Sequence, residues 1–404
     1  MQTNHSAGTS GYNNSLSFDN TEIAFQSKSD ADLNRVYWLF KLLSSNTLVK
    51  IGSPITNFAF NIGLPIENII RKTVFLQFCG GETIEGCNPA IQHLSSYGIQ
   101  TILDYSVEGR ETETGFEATC EEILKTIERG KNDKSIPFSV FKPTGLGRFE
   151  LYEKINAGQE LDLDEKLEFE RVRLRFDRIC EACFHANLKV LIDAEHSWIQ
   201  DAIDDLAREM MQKYNRERPI VFNTYQLYRH DKLASLKADF YLAETDGFYL
   251  GAKLVRGAYM ELERERAEEK GYPSPIQPSK EASDRDFDEA IIFCLDHLDR
   301  IAFMAGTHNE KSSSLLAAEM KKRSIQHSHT GIYFAQLLGM SDNLSFNLAA
   351  AGYNIAKYMP YGPVAAVMPY LMRRAQENTS VAGQTSRELS LIINEKKRRK
   401  QKGR

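Results

Sequence analysis

The stretch KVLIDAEHSWIQDAIDDLAREMMQKYNRERPIVFNTYQ, Lys189 to Gln226, decides the fold. It opens on a short β-branched run, Lys189 to Glu195, passes through a longer segment of helical apolar spacing, and returns to a second run, Ile220 to Gln226. A switch between those two periods reads as strand, helix, strand. The same unit recurs on both sides. Ile99 to Tyr105 and Phe138 to Leu146 precede it, and Tyr249 to Gly257, Arg300 to Asn309, Gly331 to Leu338 and Asn354 to Tyr361 follow. Strands that alternate with helices pair in parallel through right-handed crossovers, and eight of them point to a (β/α)8 TIM barrel before an open sheet.

Residues before about 98 fall outside this alternation, and Asp30 to Leu43, Pro65 to Phe78 and Ile84 to Tyr97 carry helical spacing. The expected organisation is an N-terminal helical arm or cap over 1–98, a barrel over 99–390, and a basic tail over 391–404 that closes on KKRRKQKGR. The longest connection, Tyr259 to Asp299, holds a charged helical run from Glu261 to Lys270, then GYPSPIQPSK, then a second helix starting near Ser283. A crossover of that length at a barrel is expected to serve as an active-site flap.

With 42% hydrophobic and 26% charged residues among 404, the chain has the composition of a globular protein with a sizeable core. Its 50 Lys+Arg against 55 Asp+Glu give a net charge of −5, which argues against a coat for nucleic acid or an anionic membrane. The basic tail is either a solvated end or a local patch for lipid. Six cysteines are too few for a disulfide scaffold, so a reducing compartment is expected, and the Cys180–Cys183 CxxC falls inside a helical run from Leu163 to Leu188. The first twenty residues hold no Lys or Arg and no apolar core, so no secretory or transit signal is visible and a cytoplasmic location is expected. No uninterrupted apolar span suits a membrane helix.

Barrel active sites lie at the C-terminal ends of the strands. Here those ends are polar: Asp104; Lys142; Asp193 and Glu195; Asn223 and Gln226; Lys253 and Arg256; Thr307, His308 and Asn309; Gln336; Tyr358. After the last strand, Tyr370, Arg373, Arg374 and Glu377 share one helical face. Paired guanidinium groups can fork a small carboxylate, although the same face also suits a solvated helix with an internal ion pair. No GxGxxG, Walker A, GxSxG or HExxH is present; GLGRFE at Gly145 lacks the third glycine. Asp193, Glu195, His196 and His308 are metal-ligand types without a ligand spacing, and no metal is expected. A lysine at a strand end, Lys142 or Lys253, also admits a Schiff-base aldolase.

PYLMRRAQENTS (Pro369 to Ser380) resembles the signature helix of the proline dehydrogenase family. In the same order as in that family follow likenesses in ILDYSVEG (Ile102 to Gly109), LIDAE (Leu191 to Glu195), FNTYQLY (Phe222 to Tyr228), KLVRGAYMELER (Lys253 to Arg264), GTHN (Gly306 to Asn309), FAQLLGM (Phe334 to Met340) and KYMPYGP (Lys357 to Pro363). The resemblance covers roughly residues 70 to 390. It implies a distorted (β/α)8 barrel with non-covalent FAD that oxidises L-proline to Δ1-pyrroline-5-carboxylate and passes electrons to a membrane quinone, the product leaving for a separate pyrroline-5-carboxylate dehydrogenase.

Carried over, the resemblance assigns the carboxylate clamp to Arg373 and Arg374 with Lys142, itself held by an ion pair to Asp193. Tyr358 and Tyr370, with Ala258 and Leu337, become the walls around the pyrrolidine ring. Asn223, Lys253, Val255, Gly257, Thr307, His308, Asn309 and Glu377 become flavin contacts. Lys253, Arg256 and Asn223 are similar to the stand-alone eukaryotic-type branch and unlike the bacterial bifunctional one. The related hydroxyproline dehydrogenases place a smaller residue where this chain has Tyr358, so proline is the expected substrate and hydroxyproline the alternative. The tail is expected to assist peripheral membrane contact.

Overall fold

In the computed structural model the described residues are 16–43, 67–107, 111–380 and 384–403, less the side chains of 375–380 and 384–386. Eight parallel strands close on themselves in chain order: β1 (Gln100–Tyr105), β2 (Phe138–Phe141), β3 (Lys189–Ile192), β4 (Val221–Gln226), β5 (Leu250–Val255), β6 (Ile301–Gly306), β7 (Ile332–Leu337) and β8 (Ile355–Tyr361). Pairing of β1 with β8, from Gln100 opposite Ala356 to Tyr105 opposite Tyr361, shuts the (β/α)8 barrel. Several strands stop short of their sequence runs, β2 and β6 for visible reasons. β2 ends at Phe141 because Pro143 has no N–H to give a ladder and starts a 3-10 turn. β6 ends at Gly306 because Asn309 turns to cap helix Glu310–Lys322, accepting from the N–H groups of Lys311 and Ser312.

Side-chain alternation splits the core into two shells. Ile102, Phe138, Val140, Leu191, Phe222, Ala302, Met304 and Tyr333 fill the barrel interior. Val190, Ile192, Val221, Ala252 and Leu254 face the helices. A strand repeats its facing every two residues. The interior side therefore passes, at the C-terminal end, from Ile102 to Asp104, from Leu191 to Asp193 and from Phe222 to Thr224 and Gln226. Lys253, between outward Ala252 and Leu254, falls inward too. The cysteines of the CxxC lie in helix Leu163–Ala186, buried and reduced, and are core residues.

The long crossover forms helices Met260–Lys270 and Lys280–Asp296. The second starts before Ser283 because Ser279 caps it, accepting from the N–H of Ala282. Between them, His230 N–H donates to Pro275 O at 3.0 Å and Gln277 N–H to Tyr228 O at 2.7 Å, stitching the strap to the end of β4. The first helix is docked through buried Glu263, which accepts from the Ser197 N–H at 2.7 Å and from its hydroxyl at 2.5 Å. That carboxylate sits at the N-terminus of helix Ser197–Tyr214, where the helix dipole favours negative charge.

Over the barrel mouth, Leu39, Leu43, Phe75, Phe78, Met340, Val364, Val367, Tyr370 and Leu371 form a second apolar cluster, with Leu337 packed against it. Gly339 sits at φ +78° with its carbonyl accepting from Gln77 Nε2 at 2.8 Å, and a Cβ there would stand 2.1 Å from Gln77 O. Only glycine permits that approach.

The basic residues near the C-terminus do not form a solvated tail. They are the last turns of helix Gln384–Lys402, whose Leu391 and Ile392 pack with Phe25, Leu33, Val36 and Phe40. Arg398 pairs with Glu22 and Glu395, Arg399 with Asp30 and Glu395, and Lys402 with Glu22. Arg398, Arg399 and Lys402 are thus engaged within the chain, while Lys397 and Lys400 face solvent. Removing residues 396–404 is expected to leave liposome binding unchanged while lowering the thermal midpoint by several degrees, because buried Glu395 loses both arginines, a loss of roughly 1–3 kcal/mol. Sedimentation with phosphatidylglycerol vesicles and calorimetry measure both. Among the described residues no helix is long and apolar enough to cross a membrane.

Candidate active site

Two carboxylates and two ammonium groups meet at the C-terminal end of the barrel. Lys142, just past β2, donates to both oxygens of Asp104, at 3.0 and 3.1 Å, and stands 3.7 Å from Asp193. Lys253 crosses the barrel floor to Asp193, 2.5 Å away, and donates to the Tyr358 hydroxyl at 2.8 Å. That hydroxyl in turn faces Asp193 at 3.4 Å, and the Lys253 ammonium lies 4.9 Å from the Tyr358 ring centre. Burial opposes the Lys142 charge, but Asp104 and then Asp193 outweigh it and raise its pKa. Burial, reinforced by Asp193, pushes the Tyr358 phenol well up.

The expected ion pair of Lys142 with Asp193 is present at 3.7 Å, but it is the nearest contact of neither group. The close partner of Lys142 is Asp104, and Asp193 is engaged mainly by Lys253. Lys253, expected among flavin contacts, has its ammonium spanning β3 and β8, because an inward residue on β5 carries a four-carbon stem long enough to reach both.

Asn223 faces away from the interior. It is buried among the helices, where its amide donates to Asp204 at 2.9 Å and its oxygen accepts from the Thr224 N–H. Phe222 faces inward, so Asn223 cannot share that side. The inward polar groups on β4 are Thr224 and Gln226, and Gln226 Oε1 is buried without a hydrogen-bond partner among the described residues. Asn223→Ala is expected to leave flavin content unchanged and to cost about 0.5–1.5 kcal/mol of stability through one lost hydrogen bond, since Asp204 keeps Gln200 and Lys232 at 2.8 and 2.7 Å. The ratio of flavin to protein absorbance and the urea midpoint measure the two effects.

The turn after β6 is fixed by several partners. Arg256 pairs with Asp284 at 2.7 Å and donates to the hydroxyls of Thr307 and Ser312 at 2.8 and 2.9 Å. Thr307 Oγ1 also accepts from the Asn309 N–H, so both its lone pairs are used and its proton is left to donate. Asn309 spends its side-chain oxygen on the helix cap. His308 Nδ1 lies 2.9 Å from Ser341 Oγ. Burial, then Lys357 and Arg374, hold its pKa down at about 3, so the imidazole is neutral at physiological pH.

Val255, opposite Gln226 in register, is half-buried. Gly257 has φ +137°, and a Cβ on it would stand 2.4 Å from the Tyr228 ring. Ala258 beside it is exposed, and Leu337 is half-buried between the interior and mouth clusters. On helix Met368–Ser380, Tyr370 and Arg374 are buried, with the Arg374 guanidinium 5.3 Å from the Tyr370 ring centre. Arg373 is half-buried and acts electrostatically on His196, whose pKa burial, Arg373 and Arg266 together lower to about 4. His196 packs against Tyr259 with centroids 4.2 Å apart and the rings tilted by 34°. The Glu377 side chain lies outside the described residues.

Lys142, Asp193, Lys253 and Tyr358 thus form one contiguous network with Asp104, while Arg374 and Arg373 act on His308 and His196 respectively. Glu195, bound through both oxygens by the N–H and hydroxyl of Thr144 at 2.8 Å each, is raised to about 7 by burial. Among the described residues no group of three His, Cys, Asp or Glu side chains is placed to hold a metal ion. A planar heterocycle carrying an N–H fits the inner end of β4, where it would give Gln226 the donor it lacks. Asp104 and Gln226 were under-read in the sequence, and the two-residue parity from Ile102 and Phe222 is the signal that finds them.

A family model described as proline dehydrogenase matches residues 87–387. The chain is 33% identical over 433 residues to "Proline dehydrogenase 1, mitochondrial" of Dictyostelium discoideum, covering 96% of this chain and 76% of that one. It is 30% identical over 421 residues to the hydroxyproline dehydrogenase of Xenopus laevis, covering 95% and 90%. Among solved structures, proline utilization A from Bdellovibrio bacteriovorus, inactivated by N-propargylglycine, superposes with a TM-score of 0.71 at 18% identity. That match covers 89% of this chain and 38% of the longer protein, and it speaks for the shared barrel.

Proposed function

Because the chain belongs to the proline dehydrogenase family, we propose that it oxidises L-proline to Δ1-pyrroline-5-carboxylate with FAD as its resident cofactor. The observation that carries this reading is the way Asp193 gathers Lys142, Lys253 and Tyr358 at the barrel mouth, where Leu337 joins the interior to the helix bearing Arg373 and Arg374. Arg373 and Arg374, with Lys142, hold the proline carboxylate, since guanidinium forks match its two oxygens. Tyr358, immobilised by Lys253, and Tyr370 close on the apolar ring with Leu337 and Ala258, displacing water and fixing its orientation. Gln226, Val255, Gly257, Thr307, His308, Asn309 and Glu377 hold the flavin, which when bound accepts the hydride that leaves the carbon beside the ring nitrogen. The protein's task is alignment, with little acid or base work.

We place a membrane quinone as the terminal electron acceptor and a separate pyrroline-5-carboxylate dehydrogenase downstream. The cysteines, all buried and reduced, suit the reducing cytoplasm. In this reading the described parts of 1–98, residues 16–43 and 67–98, belong to a helical arm on the barrel of 99–390, and residues 1–15 and 44–66 lie outside the described residues.

A Schiff-base lysine requires a depressed pKa so that the amine is neutral. Lys142 is shifted the other way, and Lys253 lies against Asp193, which disfavours the aldolase. Hydroxyproline remains as a competing substrate at the same site. Tyr358→Ser is expected to lower kcat/KM for proline and raise it for hydroxyproline, moving their ratio by about 10- to 100-fold. Steady-state kinetics on both substrates measure it, and an unmoved ratio removes Tyr358 from substrate choice.

The test of the reading as a whole is the visible spectrum of purified protein, taken anaerobically before and after L-proline. Flavin bands that bleach on addition support cofactor and substrate together. A protein that stays colourless after reconstitution with FAD overturns the proposal.

A further inference from the structure

Glu388 stands one residue beyond the stretch that matches the family, on the terminal helix Gln384–Lys402. Its carboxylate is buried and accepts from the Ser341 N–H at 2.5 Å. Ser341 has φ +50°, a left-handed conformation that L residues rarely adopt. It occupies the N-cap of helix Asp342–Ala350 yet makes no side-chain cap bond. A serine at that position ordinarily turns its oxygen to the first turn of its helix. Here the hydroxyl lies 2.9 Å from His308 Nδ1.

The same turn is held from two more sides. Arg387, beside Glu388, pairs with Glu310 at 2.8 Å, and Gln336 bridges the Ser345 hydroxyl, at 2.9 Å, to Thr307 O, at 3.1 Å. Buried Glu388 is surrounded by Asp342, Lys357 and Lys28, with Lys357 2.7 Å and Lys28 2.9 Å from Asp342. The positive partners close on Asp342, so the short contact of Glu388 is the one to Ser341.

We infer that Glu388 is a positioning residue for the cofactor turn Thr307–Asn309: it fixes Ser341, whose hydroxyl engages His308 Nδ1, holds the ring in one orientation and leaves Nε2 as the nitrogen offered to the flavin. The inference rests on the flavin reading above. Its basis is the chain of contacts from the terminal helix to β6, and a neutral histidine whose ring is oriented by the bond at Nδ1. The terminal helix then belongs to the active site without touching substrate.

The experiment compares Glu388→Ala, Glu388→Gln and Ser341→Ala by FAD dissociation constant, visible circular dichroism of bound flavin, and histidine ring 15N shifts, with His308→Asn assigning the signal. Glu388→Ala and Ser341→Ala are expected to weaken FAD binding about tenfold or more, alter the flavin spectrum and shift the His308 ring 15N signals. Glu388→Gln, which keeps an acceptor oxygen, is expected to restore wild-type values. Ser341→Ala retains the backbone N–H to Glu388, so it decides the matter if Glu388→Ala does not fold. Wild-type FAD affinity, flavin spectrum and His308 ring 15N shifts in Ser341→Ala overturn the inference. If the wild-type protein takes up no FAD, the functional reading fails, and the His308 shifts in unliganded protein still decide whether Glu388 and Ser341 lock the ring.

Discussion

Asp193→Ala is expected to lower kcat/KM for proline by about 10²- to 10³-fold and to destabilise the fold by roughly 3–5 kcal/mol. Asp193 pairs with Lys253 at 2.5 Å and faces Lys142 at 3.7 Å. Lys142 retains Asp104 at 3.0 Å, whereas buried Lys253 keeps, among the described residues, the Tyr358 hydroxyl. An ammonium left in that setting costs more than the lost attraction, because its desolvation is no longer offset. Adding Lys253→Met should therefore recover most of the stability while leaving activity low, since Tyr358 is then no longer held. Urea unfolding and steady-state kinetics on both single variants and the double variant give the coupling. Equal stability of Asp193→Ala and wild type would show that the network carries no load in the folded state.

Arg373→Met should raise KM for proline by about 100-fold or more with flavin content preserved, in line with the loss of a charge-assisted fork. A second readout is independent of turnover. Burial is the main cause of the low His196 pKa, followed by Arg373 and Arg266, which together hold it at about 4. Removing the Arg373 charge must raise that pKa, while burial keeps it below the ordinary imidazole value. An NMR titration of His196 checks the geometry even where kinetics are ambiguous. Loss of flavin together with proline affinity would make Arg373 a structural residue.

The barrel was legible because eight short runs alternate with helices, a pattern that needs no knowledge of contacts. The polar strand ends were legible for the same reason. Which of two neighbouring polar residues faces the interior was not. Strands of a parallel barrel are buried on both sides, so hydropathy around Asn223 and Gln226 carries no phase, and the family likeness favoured the residue that turns out to face Asp204. Competition for Asp193 was equally hidden, since Lys253 lies 60 residues away and Lys142 has Asp104 as a closer alternative. The basic C-terminus read as a solvated run because its acidic partners, Glu22 and Asp30, lie at the other end of the chain.

That union of the two ends sets a schedule for synthesis. Val36 and Phe40 on helix Asp30–Leu43 emerge from the ribosome more than three hundred residues ahead of Leu391 and Ile392, the side chains that cover them. At about 5–20 residues per second the interval is of the order of 20–70 s. Through it an apolar face waits in the nascent chain, open to chaperones or to aggregation, and it is covered only when the terminal helix has emerged. Growth temperature and translation rate should then weigh on the yield of native protein more heavily than the stability of the finished barrel alone would lead one to expect.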